Sequence, residues 1–143
     1  MLRIAYSIVL VIGYTGYMAN IYHMTLMDHY RYPRNKCLLA QADFVAFLEN
    51  VHCGDRVTFA GSITENNMTA LTFDGTGCVL SQAIASLMTE KFVGYSCEQF
   101  IQHDDEAYIR TIVGTPLGPT RLKCALLPLQ TLRKAIITYQ KER

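Results

Sequence analysis

The chain has 143 residues, of which half are apolar and 17% are charged, and its formal net charge is +1. This length suits one domain with a substantial hydrophobic core, and the composition excludes a disordered chain. The small net charge gives no sign of nucleic-acid binding, and the odd number of five cysteines argues against a closed disulfide framework. We expect a reducing compartment in which the thiols are kept for metal or sulfur chemistry.

Residues 1–17 form an apolar N-terminal extension that differs from the domain at 18–143. The run from Ile4 to Met18 carries no charge and is rich in tyrosine. Its length of about 15 residues falls short of the roughly 20 that span a bilayer, and no good signal-peptide cleavage site follows it. An extension without function, with Met18 as the true start, is favoured over a targeting segment or an accessory helix. We expect a cytoplasmic, bacterial-type location, and this extension leaves a mitochondrial or membrane-associated one open.

The first half of the domain is predicted to form a short helix and a three-stranded antiparallel sheet. The helix runs from Ile21 to Tyr30 and must end near Tyr32, because the residue before Pro33 is disfavoured in helical geometry. A hairpin turn is predicted at Glu65-Asn66-Asn67. Apolar alternation predicts strands at Asp43–Glu49, Arg56–Ile63 and Met68–Phe73. Sequential strands without a helical crossover indicate an antiparallel meander.

The second half of the domain is predicted to be helical. Helices are expected at Cys78–Lys91, Cys97–Gln102, Asp104–Val113 and Thr120–Gln140. The last of them carries one apolar face, and Pro128, two turns in, is a position where it can bend. Because the strands precede the helices, the predicted fold class is α+β, with the helices packed on one face of the sheet.

Three cysteines are each predicted at a turn or an element boundary. Cys53 begins a Cys-Gly-Asp turn, in which Gly54 lets Asp55 approach the same centre. Asp55 is expected to be a direct ligand, and the alternative is that it caps a neighbouring element or forms a salt bridge. Cys78 follows Gly-Thr-Gly at a helix start, where the helix dipole favours a thiolate. Cys124 is predicted in the first turn of the last helix, beside basic residues. Three thiolates and one carboxylate can bind Zn²⁺ or hold a small iron–sulfur cluster.

These residues lie in sequence blocks that resemble the IscU/SufU/NifU-type scaffold proteins of iron–sulfur cluster assembly. The resemblance runs from Ile21 to the C-terminus, with every block in family order. The blocks are Asp28-His29-Tyr30, Pro33-Arg34-Asn35, Cys53-Gly54-Asp55, Phe73-Asp74-Gly75-Thr76-Gly77-Cys78, Ser86-Leu87-Met88-Thr89-Glu90 and Arg121-Leu122-Lys123-Cys124-Ala125-Leu126-Leu127. This ordered set is far more specific than a lone Cys-Gly-Asp motif.

The resemblance implies a non-enzymatic scaffold that builds a transient [2Fe–2S] cluster. Its site would comprise Cys53, Asp55, Cys78 and Cys124, and it would take sulfur from a cysteine desulfurase. Clusters would pass to apo iron–sulfur proteins or carrier proteins. The persulfide acceptor would be Cys124 in the IscU pattern and Cys53 in the SufU pattern.

A Zn²⁺-bound sulfurtransferase partner of a desulfurase, in the SufU manner, is the alternative. Lys123 stands where IscU-type members have histidine, which favours SufU. The short spacing of 46 positions from Cys78 to Cys124 matches IscU instead. The subtype therefore stays open. The chaperone-docking motif of IscU corresponds to Leu117–Arg121, but one proline and the lysine are missing, which argues against an Hsp70-type chaperone partner.

The remaining cysteines and histidines are assigned simpler roles. Cys37 and Cys97 are expected to be small buried hydrophobes. A structural or partner-facing role is expected for His29, whereas His23 and His103 are expected at the surface. His52 is an alternative metal ligand, and the pair His52-Cys53 is the only sequence-adjacent candidate for a thiol hydrolase. That class is disfavoured, because neighbouring residues on an extended chain face opposite ways.

Overall fold

The fold is that of a computed structural model, which describes residues 22–143. The apolar extension and its expected role lie outside the described residues. Residues 22–31 form helix α1. The elements that follow are β1 (Phe44–Asn50), β2 (Asp55–Thr64), β3 (Asn67–Thr76), α2 (Val79–Lys91), α3 (Cys97–Ile101), α4 (Asp105–Val113) and α5 (Pro119–Lys141). None of the helices in the described part is long and apolar enough to cross a membrane.

The three strands form the predicted antiparallel meander in the order β1-β2-β3. The turn between β2 and β3 contains Glu65 and Asn66, whose φ angles are 53° and 67°. Positive φ at both central residues is what a type I′ hairpin turn requires. The register places Ala46, Phe59 and Phe73 side by side, so one sheet face carries a continuous apolar surface.

Helices α2 and α5 cover this apolar sheet face and complete the core. Leu129, Leu132 and Ile136 of α5 are fully buried, as the apolar periodicity of this helix predicts. The helix is continuous through Pro128, which is buried within it. The α+β architecture with helices on one sheet face is therefore confirmed.

Helix α1 and the loop after it are attached to α2 by a set of hydrogen bonds. The Oγ of Ser86 contacts Nδ1 of buried His29 at 2.7 Å and accepts the backbone N–H of Arg34 at 2.8 Å. The side chain of Asn35 donates to Oγ1 of Thr89 at 3.0 Å. Burial and the charge of Arg34 lower the pKa of His29. These family blocks therefore hold elements together, and His29 has a structural role.

The expected burial of two residues, Cys37 and His103, is wrong. Cys37 is exposed rather than buried, because this loop contacts the sheet through a backbone bridge between Lys36 and Phe73 that leaves the thiol in solvent. His103 is half-buried rather than exposed, because it stacks on Phe100 among further aromatic rings. Cys97 is fully buried, as expected.

Candidate metal and sulfur site

The four predicted site residues come together at the end of the sheet where β1 ends and β2 begins. Cys53 lies in the loop between these strands, in which Gly54 adopts a φ of 74°. Asp55 is the first residue of β2. Cys78 is the N-cap residue of α2, and Cys124 projects from α5. A hairpin loop and two helices thus deliver the side chains to one place.

The carboxylate of Asp55 lies among the thiols. Its Oδ2 is 3.3 Å from Sγ of Cys53 and 3.4 Å from Sγ of Cys78. The sulfurs of Cys53 and Cys124 are 3.5 Å apart. Ligand atoms of Cys53, Asp55 and Cys124 all lie within 4.8 Å of one another, and Cys78 joins this group through Asp55.

Asp55 is held in a fixed orientation by the segment before α2. Its side chain is buried, and its Oδ1 accepts the backbone N–H of Cys78 at 2.8 Å. A Cβ on Gly77 would lie only 2.3 Å from this oxygen, and the φ of Gly77 is 149°. Only glycine permits this approach. Because Oδ1 is engaged by the backbone, Oδ2 is the oxygen presented to the thiols.

Hydrogen bonds keep the Asp55 carboxylate ionised. Burial by itself raises the pKa of Asp55, but the hydrogen bonds from the Cys78 amide and from the thiols of Cys124, Cys53 and Cys78 outweigh it. The pKa of Asp55 is consequently lowered. The group is therefore an anionic acceptor at neutral pH.

The expectation for Cys124 was wrong in two respects. Helix α5 begins at Pro119, so Cys124 lies in its second turn and has no free helix-terminal N–H beside it. The neighbouring cations Arg121 and Lys123 are exposed, whereas Cys124 is buried. Burial raises the pKa of the Cys124 thiol, and hydrogen bonds to Asp55 and Cys53 raise it further. In the metal-free protein Cys124 is therefore a protonated thiol.

The spacing of Cys53, Asp55 and Cys124 fits a tetrahedral metal ion, whereas Cys78 lies beside Asp55 but outside this group. Zn–S bonds of about 2.3 Å place two ligand sulfurs about 3.8 Å apart. The Cys53 and Cys124 sulfurs are 3.5 Å apart, which is close to this spacing. Asp55 Oδ2 lies at similar distances, 3.3 Å and 3.4 Å, from the sulfurs of Cys53 and Cys78. Thiols lose their protons when they bind a metal, so the hydrogen bonds to Asp55 would be exchanged for metal bonds.

An apolar cleft of about 530 Å³ opens beside Cys78 and Cys124. Helix α1, the start of α2, the end of α4, the segment after it and the start of α5 form its walls. The lining residues besides the two cysteines are His23, Leu26, Met27, Val79, Leu80, Val113, Thr115, Leu117 and Arg121. The two thiols are therefore reached from one side through an apolar surface.

Lys123 and His52 lie at the edge of the site. Lys123 is exposed and lines a separate recess with Asn50 and Gln130, without an ion-pair partner among the described residues. His52 is exposed, and its backbone N–H donates to Oδ1 of Asn50. Within residues 22–143 no hydrogen bond joins the His52 imidazole to Cys53, so the pair that a thiol hydrolase needs is not formed there.

Two polar residues behind Cys78 were missed by sequence reasoning. Ser81 is fully buried with its Oγ 3.8 Å from Sγ of Cys78, and Gln82 donates to the Ser81 hydroxyl. The sequence did contain a signal for Ser81. It stands three residues after a cysteine at a helix N-cap, and the side chain of residue i+3 can reach back to the cap.

A family model described as the NifU-like N terminal domain matches residues 21–143. The chain belongs to this family. The NifU-like chain is 29% identical over 140 residues to the zinc-dependent sulfurtransferase SufU of Bacillus subtilis, with 87% of this chain and 95% of the relative covered. It is also 29% identical over 119 residues to the iron-sulfur cluster assembly scaffold protein IscU 1 of Archaeoglobus fulgidus, covering 83% and 76% of the two chains.

Solved structures share the fold of this NifU-like domain. A putative iron-sulfur cluster assembly scaffold protein for the SUF system, from Fervidobacterium islandicum, has a TM-score of 0.66 at 26% identity, over 78% of this chain and 93% of its own. The N-terminal part of a NifU-like protein from Brucella abortus has a TM-score of 0.70 at 17% identity, over 83% and 94%. The second likeness concerns the fold alone.

Proposed function

We propose that this NifU-like domain is a scaffold on which iron–sulfur clusters are assembled for other proteins. The observation that carries the proposal is the arrangement of Asp55 Oδ2 against the thiols of Cys53 and Cys78, with Cys124 beside Cys53. The cluster is cargo in this function. Sulfur comes from a cysteine desulfurase, and the finished cluster leaves to apo-proteins or carrier proteins.

The mixed donor set suits a cluster that must be released. Three thiolates bind iron firmly, whereas a carboxylate is a harder and more labile ligand in such a cluster than a fourth thiolate would be. Oδ1 of Asp55 stays hydrogen-bonded to the Cys78 amide, so Oδ2 can bind the cluster iron or release it without movement of the strand. The site thus contains one weakly bound ligand, Asp55, from which release of the cluster can begin.

Exposure favours Cys53 as the sulfur acceptor. Cys53 lies on an exposed loop, whereas Cys124 is buried and its thiol has a raised pKa. Sulfur transfer requires a thiolate that can reach the donor. The Cys53 thiolate attacks the outer sulfur of the desulfurase persulfide, a new S–S bond forms, the old one breaks, and the desulfurase thiolate leaves. Cys53 then carries the persulfide.

A Zn²⁺-dependent sulfurtransferase is the second candidate function. The likeness to SufU from B. subtilis favours it, as does an exposed Lys123 that is available to a partner's carboxylate. In this function Cys53, Asp55, Cys78 and Cys124 would hold Zn²⁺, and docking of the desulfurase would free Cys53 to accept sulfur. A reducing compartment is required in both cases, and all five cysteines, which lie in the described part, are free.

Metal and sulfide analysis of anaerobically purified protein, with its absorption spectrum, distinguishes the two functions. A coloured protein that contains iron and acid-labile sulfide supports the scaffold. One colourless zinc per chain, together with stimulation of a desulfurase, supports sulfur transfer. Absence of both metals after supply of iron, sulfide and zinc would contradict both functions.

A further inference from the structure

The Cys78 sulfur has a buried hydroxyl behind it. Ser81 follows one turn later in α2, is 0% exposed, and places its Oγ 3.8 Å from Sγ of Cys78. The same hydroxyl lies 3.3 Å from the carbonyl oxygen of Cys78, to which it donates. The Asp55 carboxylate contacts the sulfur as well, at 3.4 Å. The sulfur is thus held between a carboxylate and a hydroxyl.

The hydroxyl of Ser81 is itself oriented by Gln82. Nε2 of this buried amide donates to Ser81 Oγ at 3.1 Å and to the carbonyl oxygen of Arg56 at 3.4 Å. The opposite amide orientation would set its oxygen against the Arg56 carbonyl, and two acceptors cannot bond each other. A Cβ on Gly75 would lie 2.2 Å from that carbonyl and 3.2 Å from Gln82 Oε1, so a glycine there preserves the arrangement.

This arrangement leaves the hydroxyl proton of Ser81 free to be donated. A hydroxyl has one proton and two acceptor positions, and Gln82 occupies an acceptor position. When Cys78 is a thiol, its one proton goes to the Asp55 carboxylate, and the Ser81 proton points to the Cys78 carbonyl. When the sulfur has lost its proton to a metal, it is only an acceptor. Rotation about one bond then turns the Ser81 proton to the sulfur.

We propose that Ser81, oriented by Gln82, is a positioning residue that donates a hydrogen bond to the metal-bound sulfur of Cys78. The proposal rests on the proposed function, because it requires Cys78 to be a ligand. Outer partners of this kind orient a ligand and tune its electron donation, and their loss typically costs about 10- to 100-fold in metal affinity. Hydrogen bonds to ligand sulfurs also tune iron–sulfur clusters.

The test uses Co²⁺ in place of Zn²⁺, because thiolate-to-Co²⁺ charge transfer reports on the sulfurs. Ser81→Ala should move this absorption band to longer wavelength, since a sulfur without its hydrogen bond gives up electron density more easily. The affinity for Co²⁺, from competition with a chelator, should fall about tenfold. Ser81→Thr keeps the hydroxyl, so both the band position and the Co²⁺ affinity should match those of the wild-type protein.

Thr131→Ala is the matched control. Thr131 is also 0% exposed and its hydroxyl donates to a helix carbonyl, that of Leu127, at 2.7 Å. Its loss should lower stability without moving the band. If Ser81→Ala does not fold, Gln82→Met removes the orienting amide and should move the band in the same direction.

Two results would overturn the inference in distinguishable ways. If Ser81→Ala leaves the absorption band and the Co²⁺ affinity unchanged, Ser81 only caps the helix. The same conclusion follows from a folded Gln82→Met protein if Ser81→Ala does not fold. In either case the proposed function would stand. Failure of the wild-type protein to bind Co²⁺ through thiolates would remove both the site and this role of Ser81.

Discussion

A hydrogen bond joins Asp55 to Cys78, since Oδ1 of the carboxylate accepts the backbone N–H of the cysteine at 2.8 Å. This hydrogen bond joins the start of β2 to the start of α2. It leaves Oδ2 for the thiols and fixes the entry of α2 into the site. The glycine before Cys78 makes the contact sterically feasible.

Gly77→Ala should disturb this contact directly. The new Cβ would lie 2.3 Å from Asp55 Oδ1, at a φ of 149° that is unfavourable for alanine. We expect a loss of about 1–3 kcal/mol in the free energy of unfolding, measured with urea. Gly94→Ala is the matched control, because Gly94 also has a positive φ, of 94°, but a Cβ there meets no atom within 4 Å. Equal effects in the two variants would contradict the proposed role of Gly77.

Serine substitutions should separate the site thiols from the other cysteines. Cys53→Ser, Cys78→Ser and Cys124→Ser should each abolish stoichiometric metal or cluster binding, because a hydroxyl is a poor metal ligand at neutral pH. Cys37→Ser should retain full binding, since this thiol is exposed outside the site. Metal content per folded chain is the measurement. Full content in any of the first three variants would remove that residue from the site.

Asp55→Ala should lengthen the life of a bound cluster. The substitution removes the harder, more labile ligand and leaves the three thiolates. We expect slower transfer of cluster to an apo-ferredoxin, followed by absorbance, with Asp74→Ala as an exposed carboxylate control. Immediate loss of the cluster from Asp55→Ala would show that this residue is a main anchor.

Lys123→His tests the role of the residue beside Cys124. Lys123 is exposed and lines a recess outside the cleft, so we expect metal content to stay unchanged. Stimulation of the desulfurase should weaken several-fold, because a cation available to a partner carboxylate is lost at neutral pH. Tighter metal binding would instead mean that residue 123 faces the metal. No change in either assay would make Lys123 a solvated residue.

The sequence predicted those features that depend on local patterns. Alternating apolar residues marked the strands, and the hairpin turn was predicted correctly at Glu65-Asn66-Asn67, between two of them. The gathering of Cys53, Asp55, Cys78 and Cys124 was expected from the family resemblance, and the distances between them are consistent with it. Helix and strand boundaries were correct to within a few residues.

Features that depend on tertiary packing were not predictable. The expected low pKa of Cys124 was wrong because burial against other elements, which raises that pKa, cannot be inferred from the charges that flank the cysteine. The Ser81–Gln82 pair was missed because its partner, the Arg56 carbonyl, comes from a distant strand. In each case the deciding contact joins residues far apart in the chain.

X-ray absorption spectroscopy of the Zn²⁺-loaded protein tests the shared site most directly. The four-residue site predicts three sulfurs at about 2.3 Å and one oxygen at about 2.0–2.2 Å. Asp55→Ala should leave the sulfur shell intact. A shell dominated by oxygen and nitrogen, or an imidazole signal from His52 in place of the carboxylate, would contradict the site of Cys53, Asp55, Cys78 and Cys124.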